Sequence, residues 1–476
     1  MTLRYHRHTI FLALTIFGIA IVGFPLSASD VDESIERRAT NFAHALIEGR
    51  IEDSRRDFSP EMKSALPAAE VARLIPTLAS QLGEFAEFGE RRRGCFGDHP
   101  TVWQRLSFAR GELDMRISFD WDNRVAGVWF TAPETATSCP AGSDKPEENS
   151  TAAGQSGIQA TNAPKTSSRP ALPTGAIEKA ITVGAGGWPL DGWLVLPPGE
   201  GPFPIVVLVH GSGPHDADET IFANTPFRDL ADGLVREGVA SLRYVKRTRA
   251  HGDRLVRERA NYTVDDEVID DAVAAIEAAR ATPLVDRERV YVIGHSLGGM
   301  LAPCIAAAEP SVAGLVLLAG PSRSLEDLAM EQMEYLASRS GTDSRSSDWQ
   351  ERFERVKRLS SGESAEGPLL FDLPASYWHS LRRCDPLVTA RRVNKPMLVL
   401  QGERDYQVTM TDFEGWRAGL QGRHDVTLRS FPELDHLFIA GEGPSMPADY
   451  LRAGTMDNRV IRAIAGWIAG LQGGTQ

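Results

Sequence analysis

The chain has 476 residues, of which 42% are hydrophobic and 24% charged, and that length exceeds what one core usually organises, so two domains or one with large insertions are expected. A mean hydropathy of −0.23 excludes a polytopic membrane protein. The net charge of −13 disfavours nucleic acid as a partner.

At the N-terminus, Arg4, His6, Arg7 and His8 precede an apolar stretch from Ile10 to Phe24, followed by Ser27, Ala28 and Ser29. This is the pattern of a secretory signal peptide over residues 1–29. The alternative is an uncleaved anchor, but the apolar run falls short of the roughly 20 residues of a spanning helix. Cleavage would remove two arginines and no acid, taking the charge to −15. The expected destination is the periplasm or the exterior, with no stable membrane insertion afterwards.

Residues 30–134 read as a small α+β domain. Ile35, Phe42, Ala43 and Leu46 recur at helical spacing, as do Val71, Leu74, Ile75, Leu78 and Leu82. The period then changes: residues 101–109, 112–121 and 124–130 predict a strand meander with Trp103, Trp121 and Trp129 in its core, and Arg91, Arg92 and Arg93 are expected at a solvated strand end. Residues 135–175 are Ala, Gly, Ser, Thr, Pro and charged residues, the composition of a flexible linker.

From residue 176 to 476 strands alternate with helices. The continuous apolar runs Ile205–Val209, Val290–Ile293, Val312–Leu318 and Met397–Leu400 suit parallel strands covered on both faces, so a doubly wound, mostly parallel α/β sheet is expected. Thr263 and Asp266 resemble a capping box opening a helix. A mostly helical insertion at about 322–390, rich in Met, Tyr, Trp and Leu, is expected to cap the site, because ligands bind outside the carboxyl ends of such strands. Peripheral decoration is its alternative.

The most informative stretch is Tyr291-Val292-Ile293-Gly294-His295-Ser296-Leu297-Gly298-Gly299. A sharp strand-to-helix turn needs small residues around a nucleophile, since side chains at Gly294 or Gly298 would meet neighbouring backbone. Such a turn lifts Ser296 to the sheet rim and places it at a helix N-terminus. A serine hydroxyl needs an imidazole to accept its proton and a carboxylate to hold that imidazole. The loop after Met397–Leu400 offers Asp405, with Glu403 as rival; the loop after a strand at Val426–Phe431 offers His436. Asp435 adjoins His436 but is badly placed to orient it. His295 is expected to pack, and His251, His379 and His424 to lie at the surface or in the insertion. A second stretch, Val209-His210-Gly211-Ser212-Gly213, supplies the loop for an oxyanion hole made by the N–H groups of Ser212 and Leu297, with Gly211 allowing close approach.

Together these stretches resemble the α/β-hydrolase superfamily over nearly all of residues 176–473. His210 to Thr220 with Leu242-Arg243-Tyr244-Val245-Lys246-Arg247 is similar to bacterial esterases near the prolyl-oligopeptidase and serine-aminopeptidase branches, although relatives commonly carry an acid where Val245 stands. Residues 31–133 resemble a domain of unknown function found in front of such esterases, which implies a cone-shaped, ketosteroid-isomerase type.

The expected activity is hydrolysis of small carboxylic esters through an acyl-enzyme at Ser296, with no metal or organic cofactor. Peptidase, aminopeptidase or thioesterase chemistry would use the same three residues. An exported binding protein with a vestigial hydrolase unit is the reading from another class. Cys95, Cys139, Cys304 and Cys384 lack zinc-site spacing. Pairing of Cys95 with Cys139 and four free thiols stand as alternatives.

Overall fold

The computed structural model describes residues 33–131 and 171–473, apart from 60, 61, 64, 65, 67, 97, 98, 121, 122, 223, 341–346 and 360–366. The expected signal peptide, most of the linker, Trp121, the Cys95 side chain and Cys139 lie outside the described residues. Two compact units divide between Leu172 and Pro173.

In the N-terminal unit, helices Glu33–Ile47 and Ala68–Leu82 accompany a four-stranded antiparallel sheet, β1 (Phe85–Phe96), β2 (His99–Phe108), β3 (Gly111–Phe119) and β4 (Val125–Thr131), in that order. The expected meander corresponds to β2–β4, and β1, which no alternation marks, precedes it. Its run of arginines lies within the strand rather than at its end, paired to β2 from Arg91↔Gln104 to Arg93↔Val102; Arg91 and Arg93 are exposed, as expected, and Arg92 is partly buried. Arg92 and Arg105 both reach the fully buried carboxylate of Asp114. A strand stabilised by charge pairing carries no apolar period, which is why alternation failed to reveal it.

The second unit holds eight strands: β5 (Ile177–Val183), β6 (Leu190–Leu196), β7 (Phe203–Val209), β8 (Ala240–Tyr244), β9 (Val285–His295), β10 (Gly314–Leu318), β11 (Met397–Gly402) and β12 (Val426–Phe431). Their order is β12-β11-β10-β9-β7-β8-β6-β5. The β5–β6 and β6–β8 pairs are antiparallel and the others parallel.

Burial on both faces explains the continuous apolar runs. Val207, Val209, Val292 and Leu317 face helices Asp270–Arg280 and Leu297–Ala308 in one core layer. Val206, Leu208, Ile293 and Val316 face helices Pro226–Arg236 and Asn458–Gly473 in the other. After β7 the chain steps to β8 on one side and then to β9 on the other, so the winding reverses between β7 and β9. Their carboxyl ends therefore part around a crevice, the usual ligand position of such sheets.

The capping box forms: Thr263 N–H donates to Asp266 at 2.9 Å and Asp266 N–H to Thr263 Oγ1 at 3.2 Å. However, the helix it opens begins with a π-turn, Asp265–Ile269. The insertion after β10 contains helices Leu325–Ser340, Ser347–Arg358, Ala375–Arg383 and Pro386–Arg392. It divides in two. Helix Leu325–Ser340 lies against the loop after β11, with Tyr335 stacked on Tyr406 at 5.3 Å and Gln332 donating to the Gln407 carbonyl at 2.8 Å. The later part joins the sheet's own core, where Tyr377, Trp378 and Leu381 are buried. There Cys384 forms a disulfide with Cys304 of helix Leu297–Ala308, so the reading of four free thiols is corrected.

This bridge closes a loop spanning 80 positions, so it constrains the unfolded chain strongly. Replacing both cysteines with alanine should lower the unfolding free energy by about 2–4 kcal/mol in denaturant titrations. An unchanged value would contradict this role.

Candidate active site

β7 and β9 are paired neighbours, with Val209 opposite Gly294, so the loops leaving them meet. Ser296 sits between β9 and helix Leu297–Ala308 at φ 51°, ψ −117°, a conformation costing a non-glycine residue about 1–3 kcal/mol. Only glycines permit the turn: a Cβ on Gly294 would lie 2.1 Å from the Gly298 carbonyl oxygen, and one on Gly298 2.2 Å from that of Val209. On the β7 side, a Cβ on Gly211 would stand 3.1 Å from the Ser296 Cβ. The two predicted oxyanion stretches are thus in contact beside the serine.

Asp405 and His436 come together on the neighbouring strands. β11 and β12 end opposite each other at Gly402 and Phe431. A Cβ on Gly402 would lie 2.4 Å from the Leu434 carbonyl oxygen, so glycine there lets the two following loops touch. Within them, His436 Nδ1 is 2.7 Å from Asp405 Oδ2, and the carboxylate is fully buried. Asp405 also accepts from Gln407 N–H at 2.7 Å, Val408 N–H at 3.0 Å and Gln401 Nε2 at 3.1 Å. Four donors around one carboxylate fix its orientation. The bond from Nδ1–H leaves Nε2 as the basic nitrogen.

Both rivals for the acid are accounted for. Glu403 is exposed and accepts from Ser430 Oγ at 2.7 Å. Asp435 turns back on its own loop, accepting from Leu437 and Ile439 N–H groups at 3.0 Å. Of the remaining histidines, His424 is exposed, His251 contacts the Pro189 carbonyl at 2.6 Å, and His379 lies in helix Ala375–Arg383. His210 is buried, and that burial holds its pKa down to about 3, so it is neutral.

His295, expected to pack, is instead paired with Glu219, a residue that no sequence motif marks. His295 Nε2 faces the His436 carbonyl oxygen at 2.9 Å, while Nδ1 is 3.0 Å from Glu219 Oε2. Nε2 is thus within hydrogen-bonding distance of a carbonyl, while Nδ1 stands at ion-pair distance from the carboxylate without the angle of a hydrogen bond. Burial alone would lower the His295 pKa, but the Glu219 charge outweighs it and the pKa is raised; burial would likewise raise Glu219, yet His295 draws it down to about 2. The other Glu219 oxygen accepts from Gly211 N–H at 2.6 Å. One buried ion pair therefore ties together the loops after β7, β9 and β12. The rings of His295 and His436 lie 4.7 Å apart, which sets the predicted base beside the elbow.

A second charged group missed from sequence is Lys246, just beyond β8. Its ammonium donates to the Gly211 carbonyl at 2.8 Å and lies 3.1 Å from Glu267. Among the described residues, the N–H groups of Ser212 and Leu297 donate to no other residue. The Gly211 N–H, by contrast, is consumed by Glu219. Ser296 Oγ and His436 Nε2 have no protein hydrogen-bond partner among the described residues, so the resting geometry contains no direct bond between them; such bonds commonly tighten only with substrate. No group of three or more His, Cys, Asp or Glu among the described residues is arranged to hold a metal. Nor is any described helix long and apolar enough to cross a membrane.

This architecture, a reversed winding with a strained serine at the switch, is that of an α/β hydrolase. The chain belongs to that family: the model described as "Alpha/beta hydrolase family" matches residues 206–453. A model described as a protein of unknown function matches residues 39–128. Esterase EstD of Thermotoga maritima is 34% identical over 464 residues, covering 97% of this chain and 99% of that one. The uncharacterized peptidase YuxL of Bacillus subtilis is 25% identical over 259 residues, covering 52% of this chain and 33% of its own. Among solved structures, Est1E from Butyrivibrio proteoclasticus aligns with a TM-score of 0.41 at 17% identity, over 61% of this chain and 99% of that chain.

Two outcomes follow from the site. Asp405→Asn should reduce turnover by roughly 10⁴-fold, because the wrong imidazole tautomer is then held, while Glu403→Gln should remain near wild type; steady-state kinetics showing the reverse would move the acid to Glu403. The ion pair sets a pH window. Glu219 is lowered, so its stabilisation is present above 4.5 and lost as pH falls toward about 2. His295 is raised, so its stabilisation is complete below 6.5 and lost as pH rises through the raised value. The stability difference between wild type and His295→Gln should therefore be largest between about pH 4.5 and 6.5 and shrink above it. A difference that grows with alkalinity would contradict the pair.

Proposed function

We propose that the chain is a serine carboxylesterase in which Ser296 is the nucleophile, His436 the general base and Asp405 the acid that orients it. The observation that carries this reading is the conjunction of a strained Ser296 with a His436 bound to Asp405 and tethered through His295 to the same elbow. In this mechanism His436 Nε2 takes the Ser296 proton as Oγ attacks the acyl carbon. The Ser212 and Leu297 N–H groups receive the developing oxyanion, each contributing about 3 kcal/mol to transition-state stabilisation. The imidazolium then protonates the departing alcohol, and water attacks the acyl-enzyme with His436 again as base.

Esters of modest size are the favoured substrates for two reasons. The relative that aligns over nearly the full chain is named an esterase. Beside Asp405 and His436, an apolar cluster of Tyr335, Leu336, Tyr406, Leu437, Ile439 and Tyr450 joins helix Leu325–Ser340 to the two loops, which suits that helix as a cap over an apolar acyl or alcohol group. Export belongs to the same proposal: the Ile10–Phe24 segment has the pattern of a signal peptide, and a disulfide such as Cys304–Cys384 suits an oxidising compartment.

Ser296→Ala should abolish turnover of a p-nitrophenyl acyl ester while shifting the melting temperature little. Retained turnover above a few per cent of wild type would overturn the nucleophile assignment. An aminoacyl anilide and an acyl thioester assayed in parallel should turn over more slowly than the ester, and a faster anilide would reassign the enzyme to the peptidases.

A further inference from the structure

Two charged groups, Glu219 and Lys246, reach the peptide units on either side of Gly211. A trans peptide unit is planar, with its C=O and N–H pointing in opposite directions. The unit joining Gly211 to Ser212 presents its carbonyl to Lys246 Nζ at 2.8 Å, and its other end is the Ser212 N–H. We propose that Lys246 is a positioning residue for the oxyanion hole, fixing the plane of this peptide and polarising the Ser212 N–H from behind; the inference rests on the reading of Ser212 and Leu297 as oxyanion donors.

Two observations and one physical argument carry it. Lys246 is almost wholly buried, and a buried ammonium persists only when its protons are satisfied; it spends one of them on this carbonyl. The preceding peptide is pinned independently, since Gly211 N–H donates to Glu219 at 2.6 Å. With both sides of Gly211 held, the Ser212 N–H has one direction available. A cation at the carbonyl end also draws electron density from the amide, strengthening the N–H as a donor in a low-dielectric surrounding.

Lys246 is in turn held from the far side. Glu267 lies 3.1 Å from Nζ and also accepts from Thr248 Oγ1 at 3.1 Å and from the Tyr377 hydroxyl at 2.5 Å. Glu267 stands in the π-turn, the kind of local irregularity that re-aims a helical side chain at functional sites. Tyr377 belongs to helix Ala375–Arg383, which runs into the disulfide-bonded Cys384. A chain of contacts thus leads from the stapled insertion helix to the back of one oxyanion donor.

The test uses the full chain with a p-nitrophenyl ester and a trifluoromethyl ketone, whose hemiketal oxygen occupies an oxyanion hole. Lys246→Met should lower kcat by roughly 10- to 100-fold, less than loss of a donor outright, with KM nearly unchanged, and should weaken trifluoromethyl ketone inhibition by a similar factor. Lys246→Arg, which retains the cation, should recover part of both. Tyr377→Phe, a milder change at the far end of the chain, should lower both several-fold, and it decides the matter if Lys246→Met does not fold. Wild-type kcat and inhibition in Tyr377→Phe and Lys246→Met would overturn the proposal, as would a kcat loss with unaltered ketone affinity. If the wild-type enzyme hydrolyses the ester but resists the ketone, the oxyanion-hole reading itself fails, independently of Lys246.

Discussion

The buried pair of Glu219 and His295 is the constraint on which the geometry of this site depends. Each partner has two working ends. Glu219 reaches the Gly211 N–H and the His295 ring, and His295 reaches Glu219 and the His436 carbonyl. The pair adds a charged link among segments from three strands, two of which are also joined farther out by Asn224, whose side chain bonds to Tyr450 and Gly454. Burying two charges is expensive, and breaking such a pair by removing one partner typically costs about 3–5 kcal/mol. Here the burial brings positional precision: the serine turn, the loop of the imidazole and the loop of the amide donors are held in one register.

The sheet provides the place and the charges provide the alignment. Reversal of winding between β7 and β9 opens the crevice, and the parallel register of β9, β10, β11 and β12 brings all the relevant loops to one edge. Glycines then remove the remaining obstacles, since backbone passes within contact distance at Gly294, Gly298 and Gly402. On this frame Asp405 and His436 form a direct bond, whereas Ser296 sits in a strained turn with its hydroxyl bonded to no other residue among those described. That division fits an enzyme whose base is pre-oriented and whose nucleophile is engaged only when substrate arrives.

Much of this was legible in the sequence because its signals are local. Continuous apolar runs marked β7, β9, β10 and β11, and small residues flanking Ser296 marked the turn. The positions of Asp405 and His436 followed from the strands before them. Charged residues whose partners are distant in sequence were not legible. Glu219 and His295 are 76 positions apart, and Lys246 and Glu267 are separated by a strand exit and a helix, so no spacing announces either pair. For the same reason β1 escaped notice, because Arg92 is satisfied by Asp114 rather than by an apolar face. The Cys304–Cys384 bridge, across 80 positions, likewise has no local signature.

Convergence of three loops on one reacting carbon would be seen in a crystal structure of the chain after Ser296 displaces p-nitrophenolate from a small p-nitrophenyl alkylphosphonate, which traps the tetrahedral geometry. The expected adduct has phosphorus bonded to Ser296 Oγ, the phosphoryl oxygen about 2.7–3.1 Å from the Ser212 and Leu297 nitrogens, and His436 Nε2 turned toward the ester oxygens. An adduct on another residue, or a phosphoryl oxygen directed away from both amides with His436 remote, would contradict it.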